Sequence, residues 1–145
     1  VYLYPHMMDK NEIIKLHRTG DCFVLPHHGE GWCRPIQEAA LLGKPVIATN
    51  AGGIHDYLRE DHYFSLKPTM GRIVEQKFIP YYQAGQNWWN PREEDLIRQM
   101  QYVYENKKER DRRAENVQGF VRREFNFWKV GKAMKTHLES ITKSL

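Results

Sequence analysis

The chain has 145 residues, which is enough to bury one modest hydrophobic core and predicts a single domain or part of one. Hydrophobic residues make up 41% and charged residues 28%, as in an ordinary globular protein, and the net charge is +4. No apolar run approaches the roughly 18 residues of a membrane-spanning helix, and the first residues show no signal-peptide pattern, so the sequence excludes a protein built from membrane-spanning helices.

The start of the chain and its two cysteines indicate its context. Val1-Tyr2-Leu3-Tyr4 is a strand-like run without an initiator Met, which indicates a piece of a longer protein. Cys22 lies in an apolar run and Cys33 in a turn flanked by Gly and Pro. Two thiols in such places predict a reducing compartment, and hence a cytoplasmic location, rather than a disulfide framework.

The first predicted helix begins after Asp9. Asp9-Lys10-Asn11-Glu12 combines an N-cap residue with a Glu three positions later, much like a capping box, and Gly20 is placed to end the helix. Residues 21–26 follow as a short buried strand, since they form an apolar run closed by a Pro.

The second predicted helix has Pro35 in its first turn and ends at Gly43, and residues 45–49 form the next strand. Strand and helix that alternate in this way predict an α/β fold, with a Rossmann-like parallel sheet and helices on both faces. Such sheets bind ligands in the loops at the carboxyl ends of their strands. Those loops are residues 4–9, 26–34 and 50–56.

The pattern changes after Leu58. Residues 59–89 show no sustained helical period and predict an irregular insertion, with short strands at 63–66 and 77–79. Three helices follow: one that begins at 90–93, a charged one from Lys107 to about Glu124, and a last one from about Asn126. The apolar stripe of the first of these helices is Leu96, Ile97, Met100, Val103 and Tyr104, and that of the last is Phe127, Val130, Met134, Leu138 and Ile141.

The positive charge is concentrated in these last helices. Residues 106–145 hold eleven Lys and Arg against five Asp and Glu, which gives +6, whereas residues 1–105 hold eleven against thirteen, which gives −2. A basic tail of this kind either faces phosphates or an anionic membrane surface, or forms the solvated faces of amphipathic helices. The charge alone leaves these alternatives open.

The segment from Gly29 to Ala40 carries the strongest indication of chemistry. It joins a strand end, a loop with Gly29 and Gly31, and the start of a helix. Such a junction points unpaired backbone amides and the positive end of a helix dipole at an anion, and glycines let the backbone approach a ligand closely. We therefore expect a phosphate group to bind here.

Two glutamates flank this predicted phosphate site. Glu30 lies in the loop, and Glu38 lies about one turn into the helix, from where its side chain leans back toward the cleft. Carboxylates suit the paired hydroxyls of ribose or of a sugar, so the segment fits a nucleotide sugar. A Glu that only satisfies backbone amides in the first turn of a helix is the alternative that the residues leave open.

This segment resembles the retaining glycosyltransferases of the GT-B fold, especially the family 4 group. Members carry two glutamates separated by seven residues, usually as Glu-Gly-Phe-Gly-x-Pro-x-x-Glu-Ala. The flanking strand 21–26, the segment 43–53 with its diglycine and the tail 125–130 are also similar to the family. The resemblance covers most of the chain and is weak between 59 and 89. The motif reads here Glu30-Gly31-Trp32-Cys33-Arg34-Pro35-Ile36-Gln37-Glu38-Ala39.

The resemblance implies a hexosyltransferase-type enzyme that transfers a sugar, with retention, from a nucleotide sugar to an acceptor glycan, lipid or protein. Residues 1–125 would be the Rossmann-like domain that binds the donor nucleotide. Residues 126–145 would be the helix that crosses back toward an N-terminal Rossmann domain. That partner domain is missing from the sequence, so the resemblance implies a fragment that is inactive alone.

The resemblance also implies roles for particular residues. Glu38 would hydrogen-bond the ribose, and Glu30 would contact hydroxyls of the transferred sugar at the reaction centre. The backbone amides of Gly31, Trp32 and Cys33 would face the sugar or the diphosphate, and the loop of Gly52 and Gly53 would help line the cleft. No metal and no cofactor are expected, because such enzymes neutralise the leaving diphosphate with positive groups and helix dipoles.

The sequence departs from the family motif at two loop positions. Cys33 replaces a common Gly and Arg34 replaces a common apolar residue, so the loop geometry and the charge near the phosphates are open. The basic pair that clamps the diphosphate in the family normally lies well upstream of the first glutamate. Only 29 residues precede Glu30, and that clamp is absent.

Alternative functions remain from the sequence. One is a nucleic-acid or anion-binding module that uses the basic C-terminal helices, although its positive residues alternate with Glu and Asp, and we expect no nucleic-acid partner. Another is an epimerase or phosphorylase relative with the GT-B fold. Peripheral contact of the basic helices with a membrane is a further expectation.

Several aromatic and acidic residues have two interpretations. His6, His27 and His28 are either surface-loop residues or ligands of sugar hydroxyls or the diphosphate, and zinc is not indicated. Trp88 and Trp89, with Tyr81 and Tyr82, form either core or a sugar-stacking platform. We expect Asp56 to cap a short helix and Trp128 to pack the last helix.

Overall fold

The computed structural model describes residues 2–73 and 81–143. Its main sheet has three parallel strands in the order β1-β2-β3. This arrangement confirms the predicted α/β fold. The elements of this half are α1 (Lys10–Thr19), β1 (Phe23–Leu25), α2 (Arg34–Leu41), β2 (Val46–Thr49), a short 3-10 helix (Gly52–Asp56) and β3 (Phe64–Leu66).

The predicted capping box starts α1. The Asp9 carboxylate accepts hydrogen bonds from the backbone amides of Asn11 (2.7 Å) and Glu12 (2.9 Å), and the Glu12 carboxylate accepts one from the Asp9 amide (2.8 Å). These bonds satisfy amides that the first turn of a helix leaves without partners. The helix runs to Thr19, and Gly20 is its C-cap residue, as predicted.

Helices cover both faces of the sheet, because alternate residues of a strand point to opposite sides. On one face β2 packs against α2 and α4 (Lys107–Glu124), and on the other against α3 (Glu93–Glu105). The first layer contains Ile36, Ala40, Val46, Ala48, Val117 and Val121. The second contains Ile47, Phe64, Leu66 and Val103.

The region that the sequence predicts as irregular contains an antiparallel hairpin. Strands β4 (Pro68–Arg72) and β5 (Asn87–Pro91) pair so that Gly71 lies opposite Trp88 and Met70 opposite Trp89. The predicted helix start at 90–93 therefore moves to Glu93, since Asn90 and Pro91 belong to β5. The predicted strand at 63–66 is β3, whereas the one at 77–79 lies outside the described residues.

The apolar stripe of α3 is only partly buried. Val103 is buried and Leu96 packs against the core, but Ile97, Met100 and Tyr104 are exposed. The charged helix α4 contributes more to the core than its composition indicates. Its buried residues are Ala114, Val117, Phe120 and Val121.

Arg113 of α4 is held by the core side of the helix rather than fully solvated. Its guanidinium is half-buried and donates to the carbonyl oxygens of Glu60 (2.9 Å) and Tyr63 (2.6 Å) and to Glu109 (2.8 Å). The two bonds to carbonyl oxygens join α4 to the segment that leads into β3.

The last helix, α5 (Phe127–Thr142), begins at the N-cap Asn126, whose side chain accepts from the Lys129 amide. None of its residues is buried, although its apolar stripe has the predicted spacing. Trp128 is 89% exposed, so the expectation that it packs the helix is wrong within the described chain. Among residues 2–73 and 81–143, no helix is both long and apolar enough to span a bilayer.

Candidate functional site

The two loops that follow β1 and β2 lie side by side at the carboxyl end of the sheet. The first, residues 26–33, connects β1 to α2 and contains Glu30. The second begins at Asn50 and leads into the 3-10 helix. The amide of Gly53 donates a hydrogen bond to the carbonyl oxygen of Glu30 (2.9 Å), so the second loop holds the first directly.

The diglycine of the second loop permits this contact. A Cβ on Gly53 would overlap the carbonyl oxygen of Gly31, and a Cβ on Gly52 would overlap that of Glu30. Gly52 also has a φ of 79°, which L-residues other than glycine rarely adopt. Gly52 and Gly53 are therefore required by the close approach of two backbones, whether or not they also line a ligand site.

The first loop ends at Cys33, which has a φ of 58° and is the N-cap residue of α2. A left-handed conformation at a residue other than glycine costs about 1–2 kcal/mol. Burial of the side chain, and bonds from Tyr57 Oη (3.1 Å) and the Ile36 amide (3.2 Å) to the Cys33 carbonyl oxygen, hold it there. The loop thus keeps a backbone conformation that suits Gly, although the residue is Cys.

The loop and α2 together form the predicted anion site. The amides of Gly31, Trp32 and Cys33 precede the first turn of α2, and none of them donates a hydrogen bond to another described residue. No atom would lie within 4 Å of a Cβ on Gly31, so the space beside this residue is open. The helix dipole and free amides at such a position favour an anion.

Trp32 has a structural role through its side chain. Its ring packs against those of Tyr57 (centroids 4.9 Å apart) and Phe125 (5.4 Å), and its Nε1 donates to Gln37 Oε1 (3.1 Å). These contacts fix the loop against the 3-10 helix and the end of α4. Any ligand contact of Trp32 would therefore come mainly from its backbone.

The two glutamates of the motif line different hollows. The Glu38 carboxylate lies 3.6 Å from Arg34 Nη2 and borders a hollow between α1 and α2 of about 470 Å³. Glu30 borders a cavity of about 750 Å³ between the first loop and the β4–β5 hairpin. The two carboxylates therefore face separate hollows rather than one shared pocket.

The hairpin is bound to the first loop through His28. The Trp89 amide donates to the His28 carbonyl oxygen (3.1 Å), and His28 Nδ1 donates to the Trp89 carbonyl oxygen (2.9 Å). The His28 ring also stacks on Trp88, with centroids 4.0 Å apart and planes 12° apart. The sequence did not predict this pairing, because it joins residues that are 61 positions apart.

His27 is buried, contrary to its interpretation as a surface-loop residue. It is 7% exposed, and its ring lies near the backbone of Thr49, although neither ring nitrogen makes a hydrogen bond of good geometry to a described residue. Burial lowers the pKa of His27, and the Glu30 carboxylate and the Thr49 backbone oppose this shift only in part. A neutral ring with an acceptor nitrogen and a donor nitrogen thus lies beside Glu30.

Asn50 joins two further side chains at the end of β2. Its Oδ1 accepts from His55 Nε2 (2.6 Å) and from Tyr63 Oη (2.9 Å). Asp56, expected to cap the short helix, is exposed at its end, and the N-cap position is taken by Ala51 without a side-chain bond. His6 is exposed in the loop before α1.

No group of three or more His, Cys, Asp or Glu among the described residues could hold a metal ion. Both cysteines are free thiols. Burial raises the pKa of Cys22 to about 11 and also raises that of Cys33, so neither is a reactive thiolate near neutral pH.

Comparison with known proteins gives a consistent family. The model described as "Glycosyl transferases group 1" matches residues 1–78, more than half of the chain. The chain is 30% identical over 87 residues to a putative teichuronic acid biosynthesis glycosyltransferase of Bacillus subtilis. The aligned residues make up 60% of this chain and 22% of that protein. It is 34% identical over 59 residues to a sulfoquinovosyl transferase of Arabidopsis thaliana, with coverages of 41% and 12%.

Among solved structures, the C-terminal domain of a group 1 glycosyl transferase from Francisella tularensis has a similar fold. The TM-score is 0.61 at 22% identity, over 86% of this chain and 53% of that one. The chain spans only 22% and 12% of the lengths of the two curated relatives described above.

Proposed function

The chain belongs to the group 1 glycosyl transferases, and from this premise we propose that it holds the nucleotide-sugar donor of such an enzyme. The observation that supports this most is the loop at 31–33, whose amides precede α2 without a described hydrogen-bond partner. A diphosphate is the anion that such a site fits in a sugar transferase. The fold, similar to that of the C-terminal domain of a group 1 glycosyl transferase, is compatible with this proposal.

The two glutamates then take the roles that the family resemblance implies. Glu38 hydrogen-bonds the ribose hydroxyls from the hollow beside α1, and Glu30 contacts hydroxyls of the transferred sugar. The Arg34 guanidinium, 83% exposed and next to the loop, adds positive charge on the diphosphate side. Neither a metal nor a cofactor enters this proposal.

The proposed reaction is transfer of a hexose with retention. The bond between the anomeric carbon and the phosphate oxygen breaks, and a bond from that carbon to the acceptor oxygen forms on the same face. The acceptor hydroxyl gives its proton to the leaving phosphate, so the charges balance. Gly31–Cys33 amides would stabilise the negative charge that develops on the phosphate.

The exposed apolar stripe of α5 is the surface we assign to a second Rossmann-like domain. Met134 and Leu138 are each 61% exposed, and Phe127 is 95% exposed. Single exposed apolar residues are ordinary, whereas a stripe along one helix indicates an interaction surface. A longer chain, or a cytoplasmic partner, would supply the acceptor side, with peripheral membrane contact through the basic helices as a further option.

The described residues add no support to the alternative of a nucleic-acid module. Arg112 and Arg113 bond Glu109, and Arg123 bonds Glu124, so several positive groups of α4 are paired along the helix. No observation favours an epimerase or a phosphorylase over a transferase either.

The test is ligand-observed NMR of the chain with UDP, GDP, ADP and CMP. We expect selective saturation transfer to one nucleotide. Glu38→Ala should weaken its binding about tenfold or more, because hydrogen bonds to a charged group contribute about 1.5–3 kcal/mol. Glu115→Ala, which removes an exposed glutamate of α4, is the matched control.

A second pair of measurements separates the two glutamates. Glu30→Ala should leave the bare nucleotide bound as in the parent and should weaken the matching nucleotide sugar. If Glu38→Ala and Glu30→Ala both bind donor like the parent, the assignment of the site is wrong. If the parent binds none of the four nucleotides at millimolar concentration, this part of the enzyme does not hold the donor by itself.

A further inference from the structure

The loop at residues 31–33 depends on a side chain for the position of its middle residue. Backbone amides bind an anion well only where the chain that carries them is already fixed before the ligand arrives. The hydrogen bonds described above fix the carbonyl oxygens of Glu30 and Cys33, at the two ends of this stretch. Between them, Trp32 is held by the packing of its ring and by its Nε1 bond.

Phe125 is one of the residues against which the Trp32 ring packs. It is the C-cap residue of α4 and lies far from Trp32 along the chain. The two rings meet edge-on, with centroids 5.4 Å apart and planes at 70°. Edge-to-face contact at such a distance is favourable between aromatic rings. The end of α4 therefore supports the centre of the loop.

Phe125 supports the loop by a second route, through Tyr57. The rings of Phe125 and Tyr57 also meet edge-on, with centroids 6.2 Å apart, and Tyr57 is 1% exposed. Tyr57 Oη donates the hydrogen bond to the Cys33 carbonyl oxygen (3.1 Å). One ring thus backs both the side chain of Trp32 and the residue that bonds the backbone at Cys33.

The position of Phe125 is itself well determined. Its ring packs edge-on against that of Phe120 (centroids 6.0 Å apart), and its amide donates to the Val121 carbonyl oxygen (2.9 Å). Phe120 is 8% exposed, and Val121 lies in the core layer between β2 and α4. Phe125 therefore connects the loop to a helix that is anchored in the core.

Phe125 lies away from the places that we propose for the donor. It borders neither the hollow that contains Glu30 nor the hollow that contains Glu38. A ring that only filled the core would affect stability alone, whereas two of the rings that Phe125 meets, those of Trp32 and Tyr57, hold the loop. Any effect of Phe125 on a ligand must therefore pass through these two residues.

Phe125 also lies at the junction with the last helix. The next residue, Asn126, donates from Nδ2 to the carbonyl oxygens of Arg122 (3.3 Å) and Arg123 (3.0 Å). Its Oδ1 accepts from the Lys129 amide (2.9 Å), so the same side chain ends α4 and starts α5. The helix that we assign to a second domain thus begins directly beside the residue that supports the loop.

We propose that Phe125 is a positioning residue for the donor, which acts through Trp32 and Tyr57 to hold the amides of residues 31–33 toward the diphosphate. This assignment rests on the proposed function, because it requires that these amides bind the donor. It gives the end of α4 a part in donor binding that its place outside both hollows does not indicate. Loss of the Phe125 ring weakens the binding of the phosphates and leaves the binding of the nucleoside nearly unchanged.

The test compares UDP, GDP and ADP with uridine, guanosine and adenosine in NMR titrations of the chain. In the parent, a diphosphate should bind more tightly than its own nucleoside, because the amides contact only the phosphates. Phe125→Ala should weaken the diphosphate about tenfold, since a loop that is no longer held must be ordered when the ligand binds. The nucleoside should bind within about twofold of the parent. Tyr104→Ala, which removes an 83% exposed aromatic ring of α3, is the matched control.

Further variants show whether the effect passes through the loop. Phe125→Leu keeps an apolar side chain without the ring and should weaken the diphosphate about threefold, so it also serves as the test if Phe125→Ala does not fold. Trp32→Ala should weaken the diphosphate at least as much as Phe125→Ala. In the double variant the loss should be smaller than the product of the two single losses, because both changes remove the same contact. Losses that multiply in full would overturn the route through Trp32.

The titrations keep failure of this role apart from failure of the proposed function. Binding of a diphosphate that is unaltered in Phe125→Ala and Phe125→Leu, both folded by circular dichroism, would overturn the positioning role and leave the proposed function intact. Equal losses for the diphosphate and its nucleoside would indicate a general loss of structure and would also overturn it. A parent that binds none of the three diphosphates would overturn the donor role and, with it, the role of Phe125.

Discussion

The substitution Gly53→Ala tests whether the second loop holds the first by close backbone contact. The new Cβ would overlap the Gly31 carbonyl oxygen, which is backbone and cannot move away as a flexible side chain would. Relief requires the loops to separate, at a cost of about 1–3 kcal/mol for overpacking. It would also weaken the bond from the Gly53 amide to Glu30, at about 0.5–1.5 kcal/mol.

The expected loss is therefore about 2–4 kcal/mol of the free energy of unfolding. Urea titration followed by circular dichroism measures it, and the thermal midpoint should fall by about 2–4 °C per kcal/mol for a chain of this size. Gly31→Ala is the control, because its Cβ would meet no atom within 4 Å. That variant should keep the parent's stability within about 0.5 kcal/mol. A Gly53→Ala protein as stable as the parent would refute the argument from backbone contact.

Two further predictions concern Cys33 and the buried histidines. Cys33→Gly should change stability by less than about 1 kcal/mol, because relief of the left-handed strain offsets the lost side chain, whereas Cys33→Val should lose at least about 2 kcal/mol. Urea titrations of both variants check this, and equal stabilities would contradict it. Burial lowers the folded-state pKa of His27 and of His62 below the unfolded value of 6.5, so the unfolded chain binds more protons between the two values. The free energy of unfolding should therefore be highest above about pH 6.5 and should fall as the pH drops through the lowered pKa values. The fall should be less steep in His62→Gln than in His6→Gln, a control at an exposed histidine. Identical pH profiles of the two variants would argue against the buried neutral histidines.

Local signals in the sequence were enough to predict the helices and strands that position the site. Asp9 and Glu12 specify the start of α1 through bonds that span three residues, and Pro35 specifies the first turn of α2. The alternation of these elements with apolar strands predicted the parallel sheet. The roles of Glu30 and Glu38 as ligand contacts stay predictions, since the structure fixes their places and not their ligands.

The β4–β5 hairpin could not be predicted from local signals, and the reason is physical. Pairing of β4 with β5 depends on contacts between residues 15–23 positions apart, such as Gly71 with Trp88, and its attachment to His28 spans 61 positions. Strand preference depends strongly on what the strand packs against. The burial of His27 was missed for a related reason, because it depends on neighbours distant in the sequence.

The helical stripes show a different limit. Periodicity identified the apolar faces of α3 and α5, yet Ile97 and Met100 of α3 are only half covered by the described residues, at 49% exposure each. The spacing of apolar residues shows which side of a helix is apolar, but it does not show which surface packs against that side. The exposure of α5 therefore carries information that the sequence pattern lacked.

The site loop is held from two sides, and this changes how its variants should be interpreted. Gly53 bonds the Glu30 carbonyl oxygen, and Trp89 bonds the His28 carbonyl oxygen, so the backbone is fixed immediately around the glutamate proposed for the reaction centre. Substitutions at Gly52, Gly53 or Trp32 would weaken the proposed binding of a nucleotide sugar by displacing Glu30, even if none of them touches the ligand. Only a variant that keeps these backbone contacts, such as Glu30→Gln, separates a chemical role from a supporting one. Weaker binding of the nucleotide sugar in Glu30→Gln at unchanged stability would therefore be stronger evidence for a ligand contact than the same loss in a glycine variant.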